Sequence, residues 1–136
     1  MKGTILMLGA AAVVTGGVSA VVYFTTPSGT SSHRVKQVSV PTLSAEARAG
    51  AVLYAQNCES CHGVNAAGSD RGPPLVHRIY AKGNHGDYAF VLAAKYGAPA
   101  HHWRYGSMPA QPNMSRKDVE RITVYVRELQ RANGIK

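Results

Sequence analysis

The chain has 136 residues and a mass of 14.5 kDa, which is the size of one domain with at most a short appendage and excludes a multidomain enzyme. Its 45% hydrophobic and 16% charged residues exclude a disordered chain, and its net charge of +8 favours an acidic partner, an anionic membrane or nucleic acid. The two cysteines lie within one four-residue window, which excludes a disulfide-dense scaffold and indicates a chemical site.

The N-terminal segment is predicted to enter a membrane. Residues 4–24 contain no charge, and about 20 apolar residues are enough to cross the hydrocarbon core of a bilayer. A cleaved signal peptide is the competing interpretation, with small residues at 18–20 as the cleavage site. Apolar residues continue past that site to Phe24, so a retained transmembrane anchor over residues 1–24 is favoured. A buried core helix is disfavoured because so short a chain cannot surround it.

Residues 25–43 are rich in Ser, Thr and Pro and are predicted to form a flexible linker. Basic residues are expected on the cytoplasmic side of a membrane anchor. Lys2 precedes the anchor, while Arg34 and Lys36 of the linker follow it, so charge does not decide the orientation of the anchor.

Residues 44–136 are predicted to form an all-α domain, because helical signals dominate and alternating strand patterns are scarce. Helices are expected over 44–57, 87–96 and 115–132, with Ser115 and Asp118 forming a capping box on the last one. Three sets of residues recur at helical spacing. On the first helix they are Ala49, Val52, Leu53 and Gln56; on the second, Tyr88, Val91, Leu92 and Lys95 share a face; and on the last, Val119, Ile122, Val126 and Leu129 form an apolar stripe. The long loops 63–84 and 97–112 are rich in glycine and proline, and such loops need something to pack against.

The motif Cys58-Glu59-Ser60-Cys61-His62 follows the first helix directly and carries both cysteines. C-x-x-C-H is the attachment signature of c-type haem, in which two thiols bind the haem edge and the adjacent histidine binds the iron. A thiol redox pair would need a strand-turn-helix context, and a zinc site would need further thiolates, which the chain lacks. Because c-type haem is attached outside the cytoplasm, the N-terminus is expected inside and the haem domain in the periplasm.

A second axial ligand is needed once His62 binds one side of the iron. Met108 stands in a loop, Tyr105-Gly106-Ser107-Met108-Pro109-Ala110, and is favoured for that role. The rival sulfur is that of Met114, and the rival imidazoles are those of His77, His85, His101 and His102.

From Ala45 to Gln130 these motifs resemble the class I c-type cytochromes, in the order C-x-x-C-H-G, Gly-Pro-x-Leu, Met-Pro and a closing amphipathic helix. The N-terminal segment is similar to that of the membrane-anchored bacterial monohaem members. The resemblance implies a cytochrome c fold, with three to five helices wrapped around one covalent haem. It also implies that the carbonyl of Pro73 accepts the ring N–H of His62.

The same resemblance implies that the first and last helices cross through a glycine and an aromatic residue. Gly50 and Tyr54 match that pattern on the first helix, and Ile122 and Tyr125 are the expected counterparts on the last.

A haem iron with two filled axial positions leaves no open site, so the expected function is non-catalytic: one-electron transfer between membrane-bound respiratory or photosynthetic complexes. A permanently bound electron-relay subunit of an oxidase or dehydrogenase complex remains an alternative, and a catalytic or gas-binding haem protein is a weaker one. The expected partners are proteins with acidic docking surfaces, such as an oxidase, a bc-type complex, a dehydrogenase or a reaction centre, and not nucleic acid. The basic residues expected to steer that docking are Arg71, Arg78, Lys82, Lys95 and Arg104.

Overall fold

The computed structural model describes residues 37–136, which fall within a single compact unit. This part of the chain is mostly helical, as predicted. The helices are α1 (Ala45–Asn57), α2 (Glu59–His62), α3 (Asp87–Tyr96) and α4 (Arg116–Ala132), with 3-10 turns at Val64–Ala66 and Arg78–Tyr80.

The predicted membrane anchor at residues 1–24 lies outside the described residues. Among residues 37–136, no helix combines the length and the apolar character needed to cross a membrane.

The ends of α1 and α4 are fixed by side-chain caps that the sequence predicted. The Ser44 hydroxyl accepts a hydrogen bond from the backbone N–H of Ala47 at 3.1 Å. At α4 the Ser115 hydroxyl accepts from the N–H of Asp118, while the Asp118 carboxylate accepts from the N–H of Ser115, so the capping box is complete. These bonds satisfy N–H groups that have no partner inside the helix.

The backbones of α1 and α4 approach each other closely where the helices cross at Gly50. A Cβ atom placed on Gly50 would lie 2.1 Å from the carbonyl oxygen of Arg121, so only glycine allows this approach. One turn further along, the rings of Tyr54 and Tyr125 have centroids 5.4 Å apart. Ile122, Val126 and Leu129 pack in the same core. The predicted crossing is therefore confirmed.

The predicted apolar stripe of α4 is buried at all four positions, whereas the faces predicted for α1 and α3 were partly wrong. On α1 the buried residues are Ala47, Gly50 and Tyr54, while Val52 is exposed. On α3 the buried residues are Val91 and Ala94, and the remaining apolar side chains expected there, Tyr88 and Leu92, are exposed. Both helices pack against α4, and the shape of that contact selects the buried face: on α1 it combines Ala47 and Gly50, which allow close approach, with Tyr54, which fills the core.

Residues 37–43, the end of the predicted linker, are bound to Asn133, the residue that caps the C-terminal end of α4. The backbone N–H of Ser39 donates to Asn133 Oδ1 at 3.0 Å, and Asn133 Nδ2 donates back to the Ser39 carbonyl at 2.8 Å. Val38 and Leu43 pack against the core. The rest of the predicted linker lies outside the described residues.

Arg127 of α4 ties the loop before α3 to the core. Its guanidinium donates to the Asp87 carboxylate at 2.8 Å and to the backbone carbonyls of Tyr80 and His85. Gln130, one turn later, accepts from Arg127 at 2.6 Å and donates to the Leu75 carbonyl at 2.8 Å. The Leu75, Tyr80 and His85 carbonyls of an irregular segment are thus satisfied by two side chains of one helix.

Candidate functional site

The C-x-x-C-H motif forms a single helical turn at the end of α1. The N–H of Cys58 donates to the Tyr54 carbonyl at 2.8 Å, and the N–H groups of Cys61 and His62 both donate to the Cys58 carbonyl, at 3.1 and 2.9 Å. Cysteines three positions apart lie on the same side of such a turn. Both thiols and the imidazole are thereby presented together.

The loop after this turn folds back through glycines that no other residue could replace without a shift. Gly63 has a φ of 75°, and a Cβ there would lie 2.1 Å from the Gly68 carbonyl oxygen. A Cβ on Gly72 would lie 2.8 Å from the carbonyl oxygen of Cys61. Gly72 therefore packs directly on the motif and places the following residue, Pro73, next to His62.

His62 is held in one orientation and one tautomer. Its Nδ1 lies 2.9 Å from the Pro73 carbonyl oxygen. A carbonyl can only accept, so Nδ1 carries the proton and Nε2 keeps its lone pair. Burial lowers the pKa of His62, and the bond to Pro73 opposes that shift. The neutral imidazole that results is the form that binds a metal ion.

The environment of Cys58 disfavours a thiol redox function. Neither Cys58 nor Cys61 is in a disulfide. Burial, with a smaller contribution from the neighbouring Cys61, raises the pKa of Cys58 to about 11. Reactive redox cysteines have lowered thiol pKa values, so the raised pKa of Cys58 disfavours the redox interpretation of this C-x-x-C.

The residues that the sequence predicted to bind the haem line a common cleft. Cys58, Cys61, His62 and Pro73 line it, and so does Met108. Met108 is fixed by two backbone bonds with Ala98: its N–H donates to the Ala98 carbonyl at 2.8 Å, and its carbonyl accepts from the Ala98 N–H at 3.0 Å.

The other candidates for the second axial ligand are four histidines and Met114, and not all of them lie in the cleft. His85, His101 and His102 also line the cleft, whereas the ring of His77 stacks edge-on against Trp103, with centroids 5.1 Å apart. Met114 reaches the cleft too, but its side chain packs against both hydrophobic clusters of the core.

Comparison with known proteins identifies the family. The family described as Cytochrome c matches residues 47–130. The chain belongs to the cytochrome c family. It is also 31% identical over 103 residues to the Cbb3-type cytochrome c oxidase subunit FixP of Rhizobium meliloti (strain 1021), covering 74% of this chain and 33% of that protein. The chain thus spans about a third of that relative's length, and no solved structure matches it.

The cleft of this cytochrome c fits its covalent haem. The family carries haem c on two cysteines, and Cys58 and Cys61 stand at those positions. The other lining residues are largely apolar, as a flat macrocycle requires, and they include Leu75, Ala89, Phe90, Ala94, Val119 and Ile122. When bound, the haem iron supplies reversible one-electron chemistry, so the chain is an electron-transfer protein.

Trp103 supplies a second test of the fit, and the sequence reasoning missed it. Its indole N–H is buried and makes no hydrogen bond within residues 37–136. Burial raises the pKa of Tyr80, and the nearby Trp103 opposes that rise. The geometry between the indole N–H and the Tyr80 hydroxyl nevertheless falls short of a hydrogen bond. A buried donor without an acceptor costs about 1–3 kcal/mol. A haem carboxylate is an acceptor of the kind this donor needs. The available signal was that Trp103 is the single tryptophan of the chain, in the loop before Met108.

Proposed function

We propose that this cytochrome c is a one-electron carrier whose haem iron is bound by His62 and Met108, and that it passes electrons between membrane-bound respiratory or photosynthetic complexes on the periplasmic side. The observation that supports the proposal is that His62 and Met108 line the same cleft and each is fixed by bonds to a neighbouring segment. An iron with both positions filled changes its charge by one electron with little rearrangement.

Packing supports Met108 over Met114 as the sulfur ligand. Met114 is committed to the core, where it contacts the cluster of Val91, Ala94 and Val119. Met108 belongs to neither core cluster and is partly exposed to the cleft. Its sulfur can therefore bind the iron without removing a side chain from the core.

The ligand is tested by Met108→Ala, with Met114→Ala as the matched control. Met108→Ala should abolish the sulfur-to-iron charge-transfer band of the oxidised protein, lower the midpoint potential and open the iron to carbon monoxide. Met114→Ala should leave all three properties almost unchanged. If Met114→Ala abolishes the band and Met108→Ala keeps it, the assignment is wrong. If the unmodified protein binds carbon monoxide readily, a catalytic or gas-binding function replaces the carrier.

The charge distribution supports an acidic docking surface on the redox partner. Residues 44–136 contain 12 Lys and Arg residues but only 7 Asp and Glu residues. The five basic residues predicted to steer docking are all exposed, and Arg71 lines the cleft itself. Of these, Lys82 is 3.5 Å from Asp87 in an ion pair. We expect the electron-transfer rate with an acidic partner to fall steeply as ionic strength rises.

The relative named as a cytochrome c oxidase subunit favours a second candidate, a fixed electron-relay subunit of an oxidase complex. Purification of the native complex distinguishes the two: stoichiometric co-migration through successive columns supports a subunit, and loss of the chain at moderate salt supports a shuttle.

The proposed anchor predicts an N-terminus near Met1 and a need for detergent. An N-terminus at Val21 in a detergent-free fraction would show that the segment was a signal.

A further inference from the structure

Three histidines that line the cleft converge on one another from the two loops that flank α3. His85 lies before the helix, and His101 and His102 lie after it. Their potential ligand nitrogens all lie within 4.8 Å of one another. The ring centroids of His101 and His102 are 4.2 Å apart, and those of His85 and His102 are 5.4 Å apart. None of these residues is part of the C-x-x-C-H motif.

Two of the three rings already have the hydrogen bond that orients a metal-binding imidazole. His85 Nδ1 lies 2.8 Å from the Ile79 carbonyl oxygen, and His101 Nδ1 lies 2.6 Å from the Pro99 carbonyl oxygen. Since a carbonyl only accepts, Nδ1 is the protonated nitrogen in both rings and Nε2 keeps its lone pair. Metal-binding histidines commonly donate their second ring N–H to a backbone carbonyl in this way.

The two loops are also held in place by contacts outside the cluster. Arg127 donates to the backbone carbonyl of His85, and the Ala98–Met108 backbone pair closes the loop that carries His101 and His102. His85 is half-buried, while His101 and His102 are exposed, so the cluster can be reached from solvent. Anchored loops reduce the conformational entropy that is lost when an ion binds.

We propose that His85, His101 and His102 form a binding site for a transition-metal dication such as Zn²⁺ or Cu²⁺, separate from the haem iron. Three imidazoles with no carboxylate suit these ions over Mg²⁺ or Ca²⁺. With Zn–N distances of about 2.0–2.1 Å, tetrahedral ligand nitrogens are separated by about 3.4 Å. Small rotations of the exposed rings of His101 and His102 would reach that spacing, and a solvent molecule would complete the coordination. A bound dication near the haem would favour the reduced iron and raise the midpoint potential.

The test uses the full-length, haem-loaded protein in a His33→Gln background, which removes the histidine outside the described residues. After treatment with a chelator, calorimetric titration with Zn²⁺ should show one ion per chain. His85→Gln, His101→Gln and His102→Gln should each weaken binding by at least tenfold. His77→Asn is the matched control: it keeps an acceptor for the N–H of Ile79 and should bind Zn²⁺ like the parent. With Cu²⁺, electron paramagnetic resonance should show nitrogen hyperfine coupling that each of the three substitutions reduces.

Three results would overturn the site. The first is the absence of stoichiometric Zn²⁺ binding by the parent, and the second is equal weakening of binding by His77→Asn. The third is loss of the sulfur-to-iron band on substitution of any of the three histidines, because that histidine would then support the haem iron and not a second metal.

Discussion

Replacement of Gly50 by alanine tests the helix crossing on which the haem domain is built. The new Cβ would lie 2.1 Å from the Arg121 carbonyl oxygen, 2.6 Å from its carbon and 3.1 Å from the backbone nitrogen of Ile122. All three atoms belong to the backbone of α4, so no side chain can rotate away to relieve the overlap. The two helices would have to separate.

The expected cost follows from that separation. Carbon–oxygen contacts are normally about 3.3 Å or longer, so α1 must move by about 1.2 Å. The movement loosens Tyr54, Val126 and Leu129, each at most 1% exposed. Overpacking costs typically about 1–3 kcal/mol, and a backbone clash belongs at the upper end. Alanine recovers about 1 kcal/mol through its higher helix propensity. The net loss of unfolding free energy is therefore about 2 kcal/mol, or roughly 8–16 °C in Tm for a domain of this size.

Guanidinium unfolding of the haem-loaded protein, followed by far-ultraviolet circular dichroism, measures this loss. Gly83→Ala is the control, because a Cβ there meets nothing within 4 Å and its φ is not positive. That variant should be about 0.4–1 kcal/mol more stable than the parent, through its effect on the unfolded chain. If Gly50→Ala is as stable as Gly83→Ala, the α1–α4 crossing does not require glycine and the packing argument fails.

Three further predictions concern the haem attachment and the Arg127 contacts. Cys58→Ser with Cys61→Ser should yield a chain without covalent haem by mass spectrometry and largely unfolded by circular dichroism, so a well-folded haem-free product would contradict the assignment. Arg127→Met should lower the unfolding free energy by about 3 kcal/mol, because the His85 carbonyl, the Gln130 amide oxygen and the Asp87 carboxylate lose this donor, although the Tyr80 carbonyl keeps its bond from Gln130; a loss below about 1 kcal/mol in guanidinium unfolding would refute this. The hydrogen bond from Arg127 lowers the pKa of Asp87, so its stabilisation is present above the ordinary carboxyl pKa and is lost as the pH falls through the lowered value. Asp87→Asn should consequently reduce stability at pH 7 and have little effect near pH 2, and equal losses at both would exclude the ion pair as the cause.

Features determined by neighbouring residues were readable from the sequence. The C-x-x-C-H turn is five consecutive residues, and its spacing alone brings two thiols and an imidazole together. The caps at Ser44 and Ser115 depend on groups three positions away, and both were found in the structure. The stripe of α4 was also predicted correctly, since it is the most strongly amphipathic helix and its charged face leaves little choice.

Features that depend on which surfaces meet were decided only by the tertiary structure. The approach of α4 to Gly50 sets the buried face of α1. Val52 lies outside that face and is exposed, although its side chain is more hydrophobic than glycine. The contacts of Arg127 with Tyr80, His85 and Asp87 join residues 40 or more positions apart, and no local pattern marks them. The histidine cluster likewise needs the loops on either side of α3 to fold toward each other. Sequence periodicity reports the polarity of each helix face, but the partner that covers a face is chosen by shape, because close packing requires backbones and side chains to fit without overlap.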